Sequence, residues 1–72
     1  MSRDFVVVLR GYNRVEVDQV VALAEEALAS DNSVSRAAAR TAISEAKFSM
    51  VLRGYDRSEV DQELGRLLQG LG

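Results

Sequence analysis

The sequence predicts an all-α protein, a small up-down-up three-helix unit with two extended Arg-Gly-Tyr loops at one end. Three observations lead there. Proline is absent while Ala, Leu, Glu, Arg and Gln are abundant, which favours helix. Three stretches carry apolar residues at helical spacing. And FVVVLRGYNRVEVDQ, at 5–19, returns 43 residues later as FSMVLRGYDRSEVDQ, at 48–62, with eleven of fifteen positions identical. A repeat of this length points to an architecture built from two copies of one unit.

The first helix starts after Asn13. Asn13-Arg14-Val15-Glu16 reads as a capping box, with the Asn13 side chain covering a free N–H and Glu16 reaching back to the cap. Val17, Val20, Val21, Ala24 and Leu28 share one face, and the helix is expected to run to Ala29, before the turn-forming Ser30-Asp31-Asn32-Ser33. The second copy repeats the device with Asp56-Arg57-Ser58-Glu59, followed by a stripe of Val60, Leu64, Leu67, Leu68 and Leu71. Tyr12 with Val17, and Tyr55 with Val60, fit a hydrophobic staple at each helix start. Between the copies, an alanine-rich segment at about 34–46 has good helix propensity but a weak start signal. The apolar stretches 5–9 and 48–52 read as extended or loop-like, and Gly11 and Gly54 are expected to permit a backbone turn closed to other residues. Residues 1–72 thus form a single domain of two repeats, 5–29 and 48–72, joined by the central helix.

Seventy-two residues bury a modest core, so close helix packing or a partner chain must reinforce it. Cysteine and histidine are both absent, which removes disulfides, thiol catalysis, the commonest general base and the commonest metal ligand. No phosphate-cradling glycine loop is present. No enzyme, metal site or cofactor is therefore expected. Glu16 with Asp18, and Glu59 with Asp61, lie two residues apart and face away from each other on a helix, so they read as helix-start charges rather than acid/base dyads. The net charge of −2 opposes nucleic-acid binding. The longest apolar runs have five residues, far short of the roughly 20 that cross a bilayer. Without the apolar core of a signal peptide at the N-terminus, the expected location is the cytoplasm.

The pattern Phe-x-x-x-Leu-Arg-Gly-Tyr-(Asn/Asp)-x-x-Glu-Val-Asp, running into a helix, resembles the N-terminal domain of the DivIVA family of bacterial cell-division and polar-growth proteins. The resemblance covers 5–19 and 48–62 with the helices that follow. Residues 42–48 also resemble the short helix that precedes the motif in that family, a lead-in the first copy lacks. It implies a non-catalytic module in which two units pair as a parallel coiled coil, their loops crossing at the N-terminal end. An apolar residue and its neighbouring arginine at each loop tip then touch the membrane; here these are Leu9 with Arg10 and Leu52 with Arg53. The tips carry leucine where the strongest membrane binders of the family carry an aromatic residue, and no long coiled coil follows Gly72, so the resemblance does not extend to filament or lattice assembly of the family type.

The expected function is a scaffold or adaptor of cell division or polar growth, binding an anionic membrane surface or a partner protein, such as another division or scaffold protein, through its loop end. The location would then be peripheral on the inner face of the plasma membrane. Leu9, Arg10, Arg14, Leu52, Arg53 and Arg57 are the candidate contact residues, while Gly11, Tyr12, Asn13, Glu16, Gly54, Tyr55, Asp56 and Glu59 form the structural motif. Two alternatives stand beside each tip assignment. Leu9 and Leu52 fit the core as well as a tip, and Arg10 and Arg53 could instead pair with Glu16, Asp18, Glu59 or Asp61. The repeat can pair within one chain, as a pseudo-dimer, or between chains, as a homodimer. A small helical DNA-binding or regulatory protein is the alternative function, resting on Arg36, Arg40 and Lys47 of the central helix.

Overall fold

The computed structural model of the chain describes residues 5–72. Two short strands, β1 (Val7–Val8) and β2 (Gly11–Tyr12), lead into α1 (Arg14–Leu28). Helix α2 (Ser33–Glu45) returns to strands β3 (Met50–Val51) and β4 (Gly54–Tyr55), and α3 (Arg57–Leu71) closes the described chain. The all-α expectation is therefore corrected. The segments read as loops are strands of one four-stranded antiparallel sheet, in the order β1-β4-β2-β3, so the fold mixes helix and sheet.

The pairing explains the duplication. Neither repeat pairs its own two strands. Instead β1 pairs with β4 (Val7 opposite Tyr55, Val8 opposite Gly54) and β2 with β3 (Gly11 opposite Val51, Tyr12 opposite Met50). The two halves meet at the centre, where Tyr12 lies opposite Tyr55. Each repeat completes the other, and both loop tips come to one end of the molecule.

At this crossing the glycines have a different task from the one expected of them. No described glycine has positive φ, so neither Gly11 nor Gly54 serves a left-handed turn. Both are buried, and their backbones press together. A Cβ built on Gly11 would stand 2.7 Å from the Gly54 carbonyl carbon, and one on Gly54 would stand 2.5 Å from that of Gly11. Glycine is required for close approach of two backbones, not for conformation.

From the sheet, α1 and α3 run side by side with matched faces. Val17, Val21, Ala24 and Leu28 of α1 correspond at the repeat offset to Val60, Leu64, Leu67 and Leu71 of α3, and all belong to or pack against the buried core. Asn13 caps α1 by accepting from the Glu16 N–H at 3.2 Å, and Asp56 caps α3 by accepting from Ser58 N–H at 3.4 Å. The start of α2 also has a cap. The Asn32 side chain accepts from the N–H groups of Val34 and Ser35, inside what the sequence reading took for a plain turn.

Helix α2 breaks the symmetry of the repeats, and residues outside the motif decide on which side it lies. Leu23 and Ala27 of α1 line a groove with Ser35 and Ala38 of α2, while Leu64, Gly65 and Leu68 of α3 line another with Ile43 and Ser44. The counterparts of Leu23 and Leu68 in the opposite repeat are Arg66 and Glu25, and that of the half-buried Val20 is Glu63. The side that α2 covers is apolar, and the equivalent side is charged, with Arg66 bound to Glu63 at 2.8 Å. A single α2 has one place to dock.

The ends of α1 and α3 away from the sheet have no basic residue in the last turn. Two arginines of α2 serve them. Arg36 donates to the carbonyls of Leu28 (3.3 Å), Ser30 (3.1 Å) and Gly70 (3.4 Å), and Arg40 donates to that of Leu71 at 2.9 Å. Helix C-termini carry unpaired carbonyls and partial negative charge, so a guanidinium is well placed there. Arg36→Ala is expected to lower stability by about 1–2 kcal/mol, and Arg36→Lys to recover little of it, because a single ammonium does not span three carbonyls. Urea denaturation measures both; an Arg36→Ala variant as stable as wild type would show that water serves these carbonyls equally well.

Candidate functional site

The motif residues form an interlock, and nearly every bond in it occurs twice. Asn13 N–H donates to the Ser49 carbonyl at 2.8 Å, and Asp56 N–H donates to the Val6 carbonyl at 2.9 Å. Ser49 N–H donates to the Glu16 carboxylate at 2.8 Å, and Val6 N–H donates to that of Glu59 at 2.8 Å. Tyr12 Oη donates to Asp61 at 3.2 Å, and Tyr55 Oη donates to Asp18 at 2.9 Å. The rings pair likewise, Phe5 with Tyr55 at 5.0 Å and Tyr12 with Phe48 at 5.1 Å, each tilted by 49°. All of these contacts cross from one repeat to the other.

This corrects the capping boxes. Half of each is present, since Asn13 and Asp56 do cap their helices. The other half is not: Glu16 and Glu59 reach across to the opposite repeat, where each takes an N–H that precedes a strand. The tyrosines likewise turn their rings and hydroxyls to the facing repeat. The acidic residues read from the sequence as helix-start charges are the acceptors of the interlock. Among the described residues no group of three or more acidic side chains is placed to hold a metal ion.

Burial first, and then the Asp61 carboxylate beside it, raise the Tyr12 phenol above its ordinary pKa of 10.0, against a smaller opposing effect of Arg57. The proton is therefore held more tightly in the folded than in the unfolded chain. This stabilisation is fully present below pH 10.0 and is lost as the pH rises through the folded value. Wild type is expected to lose stability with alkali more steeply than Tyr12→Phe, in melting curves between about pH 9 and about pH 12. Equal slopes would show that Tyr12 ionises alike in both states.

With the acidic groups so engaged, the tip arginines remain open. Among the described residues neither Arg10 nor Arg53 has an ion pair or hydrogen bond to Glu16, Asp18, Glu59 or Asp61. Both arginines are exposed. The choice between core and tip is also settled for the leucines, since Leu9 is 76% and Leu52 80% exposed. Arg14 and Arg57 open their helices, exposed but behind the tips, with Arg57 close enough to act on Tyr12. Sequence reasoning missed Val7 and Met50, which hold equivalent places on the two edge strands, with about half of each exposed. An apolar run longer than the core can use was the available signal.

The basic set that suggested DNA binding is divided by the fold. Arg36 and Arg40 hold helix ends, and Lys47 lies beyond α2 next to Phe48. Among the described residues no helix is long and apolar enough to cross a membrane. No family model, curated protein or solved structure matches the chain.

Proposed function

We propose that the chain is a non-catalytic adaptor that binds an anionic membrane surface through its loop end, in the manner of the DivIVA-like unit it resembles, as a component of bacterial cell division or polar growth. One observation carries the reading. Two leucines stand largely exposed at the tips of a doubly interlocked sheet, each followed by an exposed arginine that has no acidic partner among the described residues. A lone exposed leucine needs no explanation, but exposed apolar residues gathered at one end mark an interaction or membrane site, and Val7 and Met50 add to the two leucines. Inserting each contributes up to about 1.5–3 kcal/mol, and each arginine near an anionic leaflet about 1 kcal/mol. The sum is weak, salt-sensitive binding that multivalency would strengthen.

Co-sedimentation with anionic vesicles at low and high salt tests the proposal. Wild type is expected to sediment at low salt and be released at high salt. The quadruple variant Leu9→Ser, Arg10→Ala, Leu52→Ser, Arg53→Ala is expected to stay in solution while remaining folded. Wild type that fails to sediment at low salt ends the membrane role and leaves the loop end to a protein partner.

A further inference from the structure

Where α1 meets α2, a hollow and a projection lie next to each other. The hollow is the α1/α2 groove of about 190 Å³, lined by Leu23, Glu26, Ala27 and Ser30 on one side and by Ser35 and Ala38 on the other. Leu23, on its wall, is 43% exposed. The projection is Val34, 76% exposed, beside Ser35 in the first turn of α2 and on the same helix face as Ala38. Around them, the exposed side of α2 bears no charge from 33 to 44, where it consists of Ser33, Val34, Ala37, Ala38, Thr41 and Ser44. The exposed sides of the other helices do bear charge, with Asp18 and Glu26 on α1 and Asp61 and Arg66 on α3.

We infer that this face docks a second copy of the chain, each copy placing its Val34 in the other's groove. Three features select a second copy as the occupant. A twofold contact needs projection and hollow on one surface, and both are here. A patch that meets itself across a twofold axis must avoid like charge, and the exposed side of α2 carries none. Glu26, on the groove wall, is exposed and has no hydrogen bond or ion pair among the described residues. In the dimer it faces the start of the other copy's α2, a positive helix end whose first turn has no acidic residue of its own. Asp31, exposed just before the cap of α2, offsets part of this attraction. The contact spans about three helical turns on each copy, less than the roughly 800 Å² per partner of a standard interface, so the dimer is weak, with a Kd of about 1 mM. Below about 100 µM the chain is then largely monomeric. The dimer does not depend on the membrane reading, and chains gathered on any surface or partner would pair through it.

The test is made in solution without vesicles, by sedimentation equilibrium and amide spectra from about 50 µM to about 2 mM, a range that brackets the expected Kd. Mass is expected to rise toward that of a dimer, with amide shifts gathered at Leu23, Glu26, Val34 and Ala38. In a mixture of labelled and unlabelled protein, filtered nuclear Overhauser contacts are expected between the Val34 methyls of one chain and those of Leu23 and Ala38 of the other. Val34→Glu sets a carboxylate against Glu26 and is expected to weaken association about tenfold or more. Val15→Glu adds the same charge at another exposed valine, at the sheet end of α1, and is expected to leave association within about twofold of wild type. Both positions are exposed, and melting curves show that each variant is folded. A mass that stays monomeric throughout overturns the inference. So do equal effects of the two variants, or shifts gathered at Leu9 and Leu52 instead. Vesicle binding by the loop end bears only on the membrane reading.

Discussion

Gly11→Ala is expected to destabilise the protein by about 3 kcal/mol or more, enough to leave much of it unfolded, since a domain of this size has about 3–5 kcal/mol in total. The added methyl meets backbone atoms of Gly54 and Tyr55, which have no flexible side chain to move aside. Gly54→Ala meets the backbone of Gly11 and Tyr12 and is expected to cost a similar amount. The double variant is expected to cost less than the sum, because both changes break one crossing. Gly65→Ala is the control: nothing lies within 4 Å of its added methyl, and helix propensity favours alanine there by up to about 1 kcal/mol. Chemical denaturation of the three single variants separates close approach from a general cost of replacing glycine. A Gly11→Ala variant within about 0.5 kcal/mol of wild type would show that the two backbones are not pressed together as described.

Glu16→Ala together with Glu59→Ala is expected to have the second largest effect, about 1–3 kcal/mol. Each change removes an exposed hydrogen bond to an N–H of the opposite repeat, at Ser49 or Val6, worth about 0.5–1.5 kcal/mol apiece. A capping box makes a different prediction. There, loss of Glu16 exposes the Asn13 N–H and frays α1 alone. The interlock requires loss of Glu16 to raise hydrogen exchange at Ser49, on the far side of the sheet, and loss of Glu59 to raise it at Val6. Exchange that rises only at Asn13 and Asp56 would restore the local reading.

The helices were legible in the sequence because their signals are local. Asn13 and Asp56 lie at the two helix starts, and the stripes from Val17 and Val60 are the buried faces. The sheet was not legible, for a physical reason. Its strands are two residues long, too short for alternation to register, and each finds its partner in the other repeat. Gly11 shows the same limit: a glycine that permits a turn and one that permits close approach look alike until the second backbone is in place. Glu16 sits at capping-box spacing, and only the fold sends its carboxylate to Ser49. For the tip residues the sequence left core and tip, free and paired, side by side; the exposure of Leu9, Leu52, Arg10 and Arg53 followed only once the fold placed them. The side on which α2 docks could have been read from Leu23, Leu68 and Val20 against Arg66, Glu25 and Glu63, by comparing the repeats where they differ.

The central claim is that one chain folds both repeats into a single crossed unit. It is tested most directly by nuclear Overhauser contacts between the backbone protons of Gly11 and Gly54, and between those of Tyr12 and Tyr55, in a mixture of isotope-labelled and unlabelled protein whose mass is followed by light scattering. The account predicts both contacts within labelled chains of monomer mass, and none between labelled and unlabelled chains. Contacts that are absent, or that appear only between chains of a dimer, would contradict it.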